Sequence, residues 1–318
     1  MRIGLVDVDS HNFPNLCLMK LSAWHKARGD EVEFAIPLMP YDRIYMARVF
    51  DDTYTHDDLT AYQCTDVRRG GTGYGLDNTL PYEVEHMFPD YSLYGITDTA
   101  YGFLTRGCPR HCAFCIVGDK EGLVSRKVAD LSEFWNGQKN IKLLDPNTIA
   151  CPQWKELLQQ LIDSKAKVDF TQGVDIRLMT EEKAEMLTEI DLEMIHFAWD
   201  NYPDETTYNK LKQFGKYFPL KERRARVYVL TNFNTTHEQD KERIYRLKSL
   251  GYDPYCMVYD KPNAPKITRQ LQRWCNNKFI FRSCVRFEDS RGLSRVEAGN
   301  PGFPRPVQVT SGGFSWWL

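Results

Sequence analysis

Apolar and polar residues alternate over residues 2–8, which predicts a β-strand ending in Asp7-Val8-Asp9. Pro14 then opens a helical stretch with Leu16, Met19, Ala23 and Ala27 on one face, and Gly29 stops it. The run Glu31 to Ile36 reads as a second strand and Arg43 to Phe50 as a third. This β-α-β start predicts a small Rossmann-like α/β layer of the nucleotide- or cobalamin-binding type over residues 1–95. Residues 51 to 95 are rich in Asp, Gly, Thr and Tyr and read as a connecting loop. From Tyr101 onward strand and helix signals alternate, as parallel β/α units require. The strands expected are Tyr101–Arg106, Ile141–Asp145, Val168–Gln172, Met194–Trp199, Val227–Thr231 and Tyr255–Tyr259. The helices between them are Gln153–Ser164, Glu181–Thr188, Glu205–Phe214, Glu238–Leu250 and Thr268–Asn276.

Composition narrows the class. The 318 residues are 42% hydrophobic and 26% charged, as in an ordinary globular protein. A formal net charge of −2 supplies no general attraction to nucleic acid or an anionic membrane. The basic run Lys221 to Arg226 reads as a solvated face. The chain shows no signal peptide and no long apolar stretch, so a cytoplasmic protein is expected. Its nine cysteines follow no disulfide framework, which suits a reducing compartment.

Three of those cysteines stand together in Gly107-Cys108-Pro109-Arg110-His111-Cys112-Ala113-Phe114-Cys115, with three and then two residues between them. Three thiolates at this spacing suit three irons of a [4Fe–4S] cluster and leave the fourth iron open to an outside ligand. The competing reading is a zinc site on Cys108, Cys112, Cys115 and His111, although structural zinc sites usually gather ligands as two separated pairs.

With Phe114 just before its last cysteine, this motif resembles the signature of the radical S-adenosylmethionine (radical SAM) superfamily. The resemblance implies a partial (β/α)6 TIM-like barrel over residues 96–285, with residues 286–318 packing on it as a tail or disordered. It implies a [4Fe–4S] cluster on Cys108, Cys112 and Cys115, with S-adenosyl-L-methionine chelating the open iron and Phe114 near the adenine. Reductive cleavage to methionine and a 5′-deoxyadenosyl radical would then abstract hydrogen from an unknown substrate. A flavodoxin or a ferredoxin would donate the electron.

Other cofactor contacts are carried over by position. Asp145 and Asn147, in Asp145-Pro146-Asn147 after the second barrel strand, stand where the superfamily often has a Gly-Gly-Glu turn on the S-adenosylmethionine amino group. Gln172, Asp175 and Arg177 follow the third strand; a carboxylate suits ribose hydroxyls and a guanidinium suits a carboxylate, while an internal Asp–Arg pair is the plainer reading. Asp200 ends the fourth strand as a ribose or substrate contact, and Leu230, Thr231 and Asn232 lie where the family flanks the adenine, without that motif's glycines.

Two alternatives stay open. The loop Asp9 to Pro14 is similar to the Asp-x-His-x-x-Gly motif of some cobalamin domains, with proline replacing the glycine, so a cobalamin-dependent methyltransferase using His11 is one. A non-catalytic iron–sulfur or zinc-binding module is the other. Cys256, Cys275 and Cys284 match no compact cluster motif and read as buried thiols rather than an auxiliary cluster, as do Cys17, Cys64 and Cys151. The glycines of Arg68-Arg69-Gly70-Gly71-Thr72-Gly73-Tyr74-Gly75 suit close approach of backbone N–H groups to a phosphate or carboxylate, but no helix pattern follows to complete a dinucleotide fingerprint.

Overall fold

The computed structural model describes residues 1–10, 13–50, 57–58, 60–218 and 224–290. His11, Lys221 to Arg223 and most of the tail expected from residue 286 onward lie outside them. The chain divides into two compact units, the first built on Met1–Gln172 with Glu189–Asp191, the second on Gly173–Thr188 and the described residues from Leu192 onward. Both are α/β with parallel strands.

The first unit opens with β1 (Arg2–Asp7), helix α1 (Leu16–Lys26), β2 (Glu31–Phe34), β3 (Arg43–Ala47) and β4 (Val67–Gly70). These strands form a parallel sheet in the order β2-β1-β3-β4. Asn15 caps α1 by accepting from the Leu18 N–H, and Gly29 leaves the helix with φ of 81°. The buried side of α1 is Leu16, Leu18, Met19, Leu21, Ser22 and His25, rotated from the expected stripe, with Ala27 exposed. The rotation follows from a second neighbour, since Ser22 donates to Asp90 and Lys20 pairs with Glu85 on the segment after the sheet. Strand β4 corrects the reading of residues 51–95 as loop. Its sequence Val67-Arg68-Arg69-Gly70 has no apolar alternation because it is an edge strand with Arg68 and Arg69 exposed.

The same unit continues through α2 (Tyr82–Glu85), β5 (Thr99–Gly102), β6 (Thr105–Arg106), α3 (Val117–Glu121), β7 (Arg126–Lys127), β8 (Asn140–Leu143), α4 (Trp154–Ser164) and β9 (Lys167–Phe170). Strand β8 lies parallel between β5 and β9. The strand expected over Tyr101–Arg106 is two pieces, because β6 leaves the parallel sheet and pairs antiparallel with β7. Ile141, Leu143, Val168 and Phe170 are nearly inaccessible, each stabilising the fold by about 1.5–3 kcal/mol relative to exposure.

In the second unit α5 (Glu181–Glu189) leads to β10 (Leu192–Ala198), α6 (Glu205–Tyr217), β11 (Ala225–Thr231), α7 (His237–Ser249), β12 (Asp253–Val258) and α8 (Lys266–Asn276). Strand β11 runs parallel between β10 and β12. Residues 227–231 of β11 are all buried, as a central parallel strand demands. Thr236 and Gln239 form a reciprocal capping box that starts α7. Among the described residues no helix is long and apolar enough to cross a membrane.

Candidate functional site

The three-cysteine loop leaves β6 at Gly107, whose φ of 84° and Cβ position, 2.3 Å from the Val124 carbonyl oxygen, admit glycine alone. Glu121, at the end of α3, closes the loop from the other side. Its carboxylate accepts from the Gly107 N–H at 2.9 Å and pairs with Arg106 at 2.5 Å. The Cys108 N–H donates to the Gly122 carbonyl at 3.2 Å and the Cys115 N–H to that of Cys112 at 2.9 Å. All three cysteines and Phe114 are half-buried, and none of the nine cysteines is in a disulfide.

The turn after β8 sends a polar group to the loop. The Asn147 side-chain amide donates to Cys108 Sγ at 3.7 Å, while Ser125 Oγ donates to the Asn147 carbonyl at 3.2 Å. An amide aimed at a ligating sulfur is one of the levers that set a cluster's potential. His111 takes a left-handed φ of 37°, and its largely exposed imidazole lies 3.8 Å from Asp119. Among the described residues no group of three or more His, Cys, Asp or Glu side chains converges on one point, as a single zinc ion would require. A four-iron cube takes one thiolate per iron, so its three sulfurs face one cube from farther apart than the ligands of a single ion. As a donor set, three partly buried thiols on one strand-end loop fit a cluster.

Asp145 is buried and turned inward. Its carboxylate accepts from the N–H groups of Leu104 and Thr105, each at 2.8 Å, and from the hydroxyls of Thr105 at 2.6 Å and Thr148 at 3.2 Å. Burial outweighs these bonds and pushes the carboxyl up to about 6. Its acceptor positions thus serve the chain's own donors. Gln172 is different, since its carboxamide is 6% exposed and has no hydrogen-bond partner among the described residues.

The second unit collects the remaining candidates. Asp175 accepts from the backbone N–H of Arg177 at 3.0 Å and from its guanidinium Nε at 2.8 Å, the internal pair foreseen as the plainer reading. Arg177 also stands 3.7 Å from Asp204. Burial pushes the Asp200 carboxyl up to about 6, against the opposing charges of Arg243 and Arg177 and a hydrogen bond from the Leu230 backbone. Thr231 is fully buried and donates to the Met257 carbonyl at 3.1 Å, so its side chain serves the sheet. Asn232, at a φ of 63°, turns the chain out of β11 and donates to the Tyr259 carbonyl at 2.9 Å.

The chain matches no family model and no curated protein.

Arg243 was not among the residues singled out in the sequence. Completely buried on α7, it donates to the carbonyls of Trp199 at 2.6 Å, Asp200 at 2.8 Å and Leu230 at 2.7 Å, and pairs with Asp240 at 2.6 Å. It thereby ties the ends of β10 and β11 together beside Asp200 and Leu230. The signal was an arginine and an aspartate inside the apolar stripe Asp240, Arg243, Ile244, Leu247. Cys256, Cys275 and Cys284 are buried, and burial pushes the Cys275 thiol up to about 12. That environment disfavours the thiolate a cluster ligand must become.

Proposed function

We propose that the protein is a radical SAM enzyme whose Cys108, Cys112 and Cys115 hold one [4Fe–4S] cluster. The observation that carries the reading is the loop itself: three half-buried thiols at the signature spacing, fixed by Glu121 and Gly107 at a strand end. When bound, such a cluster would supply one electron, drawn from a flavodoxin, a ferredoxin or dithionite, for reductive cleavage of S-adenosylmethionine to methionine and a 5′-deoxyadenosyl radical. The chain's own residues hold and orient. Asn147 donates a hydrogen bond toward Cys108 Sγ. Arg106 and Glu121 keep the loop's two ends together. Gln172, which has no hydrogen-bond partner among the described residues, offers its amide to an S-adenosylmethionine polar group. Asp145 holds the β5 and β8 ends in register from behind.

The test is anaerobic reconstitution with iron and sulfide, reduction with dithionite in the presence of S-adenosylmethionine, and detection of 5′-deoxyadenosine by mass spectrometry. The product is expected from the wild type and absent from Cys108→Ala. Undiminished cleavage in Cys108→Ala would sink the reading, and a preparation that takes up zinc alone would return the site to the non-catalytic alternative.

A further inference from the structure

The first unit contains a cavity of about 840 Å³ that none of the cluster residues lines. Helix α1 packs on β1 through Leu18 and Leu21, with Ala47 of β3 buried in the same cluster. Arg43, Tyr45 and Ala47, on one face of β3, line one wall of the cavity. Trp24 and Tyr45, both partly buried, supply aromatic wall, and a cavity of this size accommodates a drug-sized ligand.

The charges around it do not balance. Arg43 and Arg68 share the single carboxylate of Asp66, each at 2.7 Å. Among the described residues Lys120 donates to the backbone carbonyls of Leu76 at 3.0 Å and Asn78 at 3.1 Å and leaves its third N–H unused. The Arg126 guanidinium donates to the Glu121 carbonyl at 2.7 Å and to no other group among the described residues. Of the lining acids, Glu85 and Glu121 are engaged by Lys20 and Arg106, and Glu83 is exposed. Burial lowers the Lys120 pKa, and an anion beside it would relieve that cost.

We propose that this cavity binds a small anion bearing an aromatic ring system, of the size and chemistry of a nucleoside monophosphate, with the ring against Trp24 and Tyr45 and the phosphate served by Lys120 and Arg126. The site goes beyond the radical reading and does not rest on it. Equilibrium dialysis of the full chain with the four ribonucleoside 5′-monophosphates and their nucleosides tests it, with saturating S-adenosylhomocysteine present to block any adenosine pocket. At least one monophosphate should bind tenfold or more tightly than its nucleoside. Lys120→Met should bring it to the nucleoside's level, and Lys120→Arg should restore it. Should Lys120→Met fail to fold, the exposed Arg126→Gln takes its place, with a threefold or greater loss expected. Equal binding of nucleotide and nucleoside, no binding of either, or undiminished binding in the folded variants would overturn the proposal, whatever the outcome of the 5′-deoxyadenosine assay.

Discussion

Asp145 follows β8 in the first unit and Asp200 follows β10 in the second, and burial pushes both carboxyls from an ordinary 3.8 up to about 6. Their surroundings are otherwise opposite. Asp145 is 3% exposed and enclosed by two backbone N–H groups and two hydroxyls. Asp200 is half-buried and, among the described residues, stands on one backbone hydrogen bond and the charges of Arg243 and Arg177, the Arg243 guanidinium being occupied by carbonyl oxygens and Asp240. An equal shift therefore marks a strut in one unit and an acceptor with unfilled capacity in the other. A raised pKa identifies a ligand-facing carboxylate only after its donors have been counted.

The largest effect is expected at the arginine that organises the second of these surroundings. Arg243→Met leaves Asp240 buried without its partner and three strand-end carbonyls without theirs, so stability should fall by about 3–5 kcal/mol in urea unfolding. A loss below 1 kcal/mol would mean that water or a rearranged side chain takes over the carbonyls.

Next comes the strut. Asp145→Ala strands the Leu104 and Thr105 N–H groups in the interior and should cost about 2–4 kcal/mol. An unchanged midpoint would remove the contrast between the two carboxylates.

Asp200→Asn removes a charge that burial disfavours, so it should cost no stability at neutral pH, and on the proposed function it should weaken S-adenosylhomocysteine binding about tenfold by calorimetry. Its pH dependence sharpens the comparison. With the folded-state pKa near 6 and the ordinary value 3.8, the folded protein binds more protons between those limits. The wild type should accordingly lose stability relative to Asp200→Asn as pH rises from about 4 to about 6, and the difference should level off above 7. A flat difference would show that Asp200 titrates as an exposed carboxylate.

Much of the scaffold was legible from periodicity. The helix expected over Gln153–Ser164 is found over Trp154–Ser164, and the strand expected over Val227–Thr231 over Ala225–Thr231, because a long amphipathic stripe or a continuous apolar run has few competing solutions. Strand β4 was illegible for the converse reason, since an edge strand exposing Arg68 and Arg69 carries no alternation. In the candidate site, spacing alone singled out Cys108, Cys112 and Cys115, while Asp175 and Arg177 were offered as cofactor contacts with an internal pair as the plainer reading, and the structure pairs them with each other.

What the chain determined locally is therefore its caps, turns and cysteine spacing: Asn15 and Thr236 reach N–H groups within three residues, and Gly107 supplies its own left-handed turn. The tertiary structure decided which polar side chains are consumed and which are available. Asp145 meets donors from residues some forty positions away, Asn147 meets Cys108, and Arg243 meets the ends of two strands. Hydrogen bonding is directional and short-ranged, so a polar residue's partner depends on which strand ends the fold brings within about 3 Å, and no local pattern encodes that.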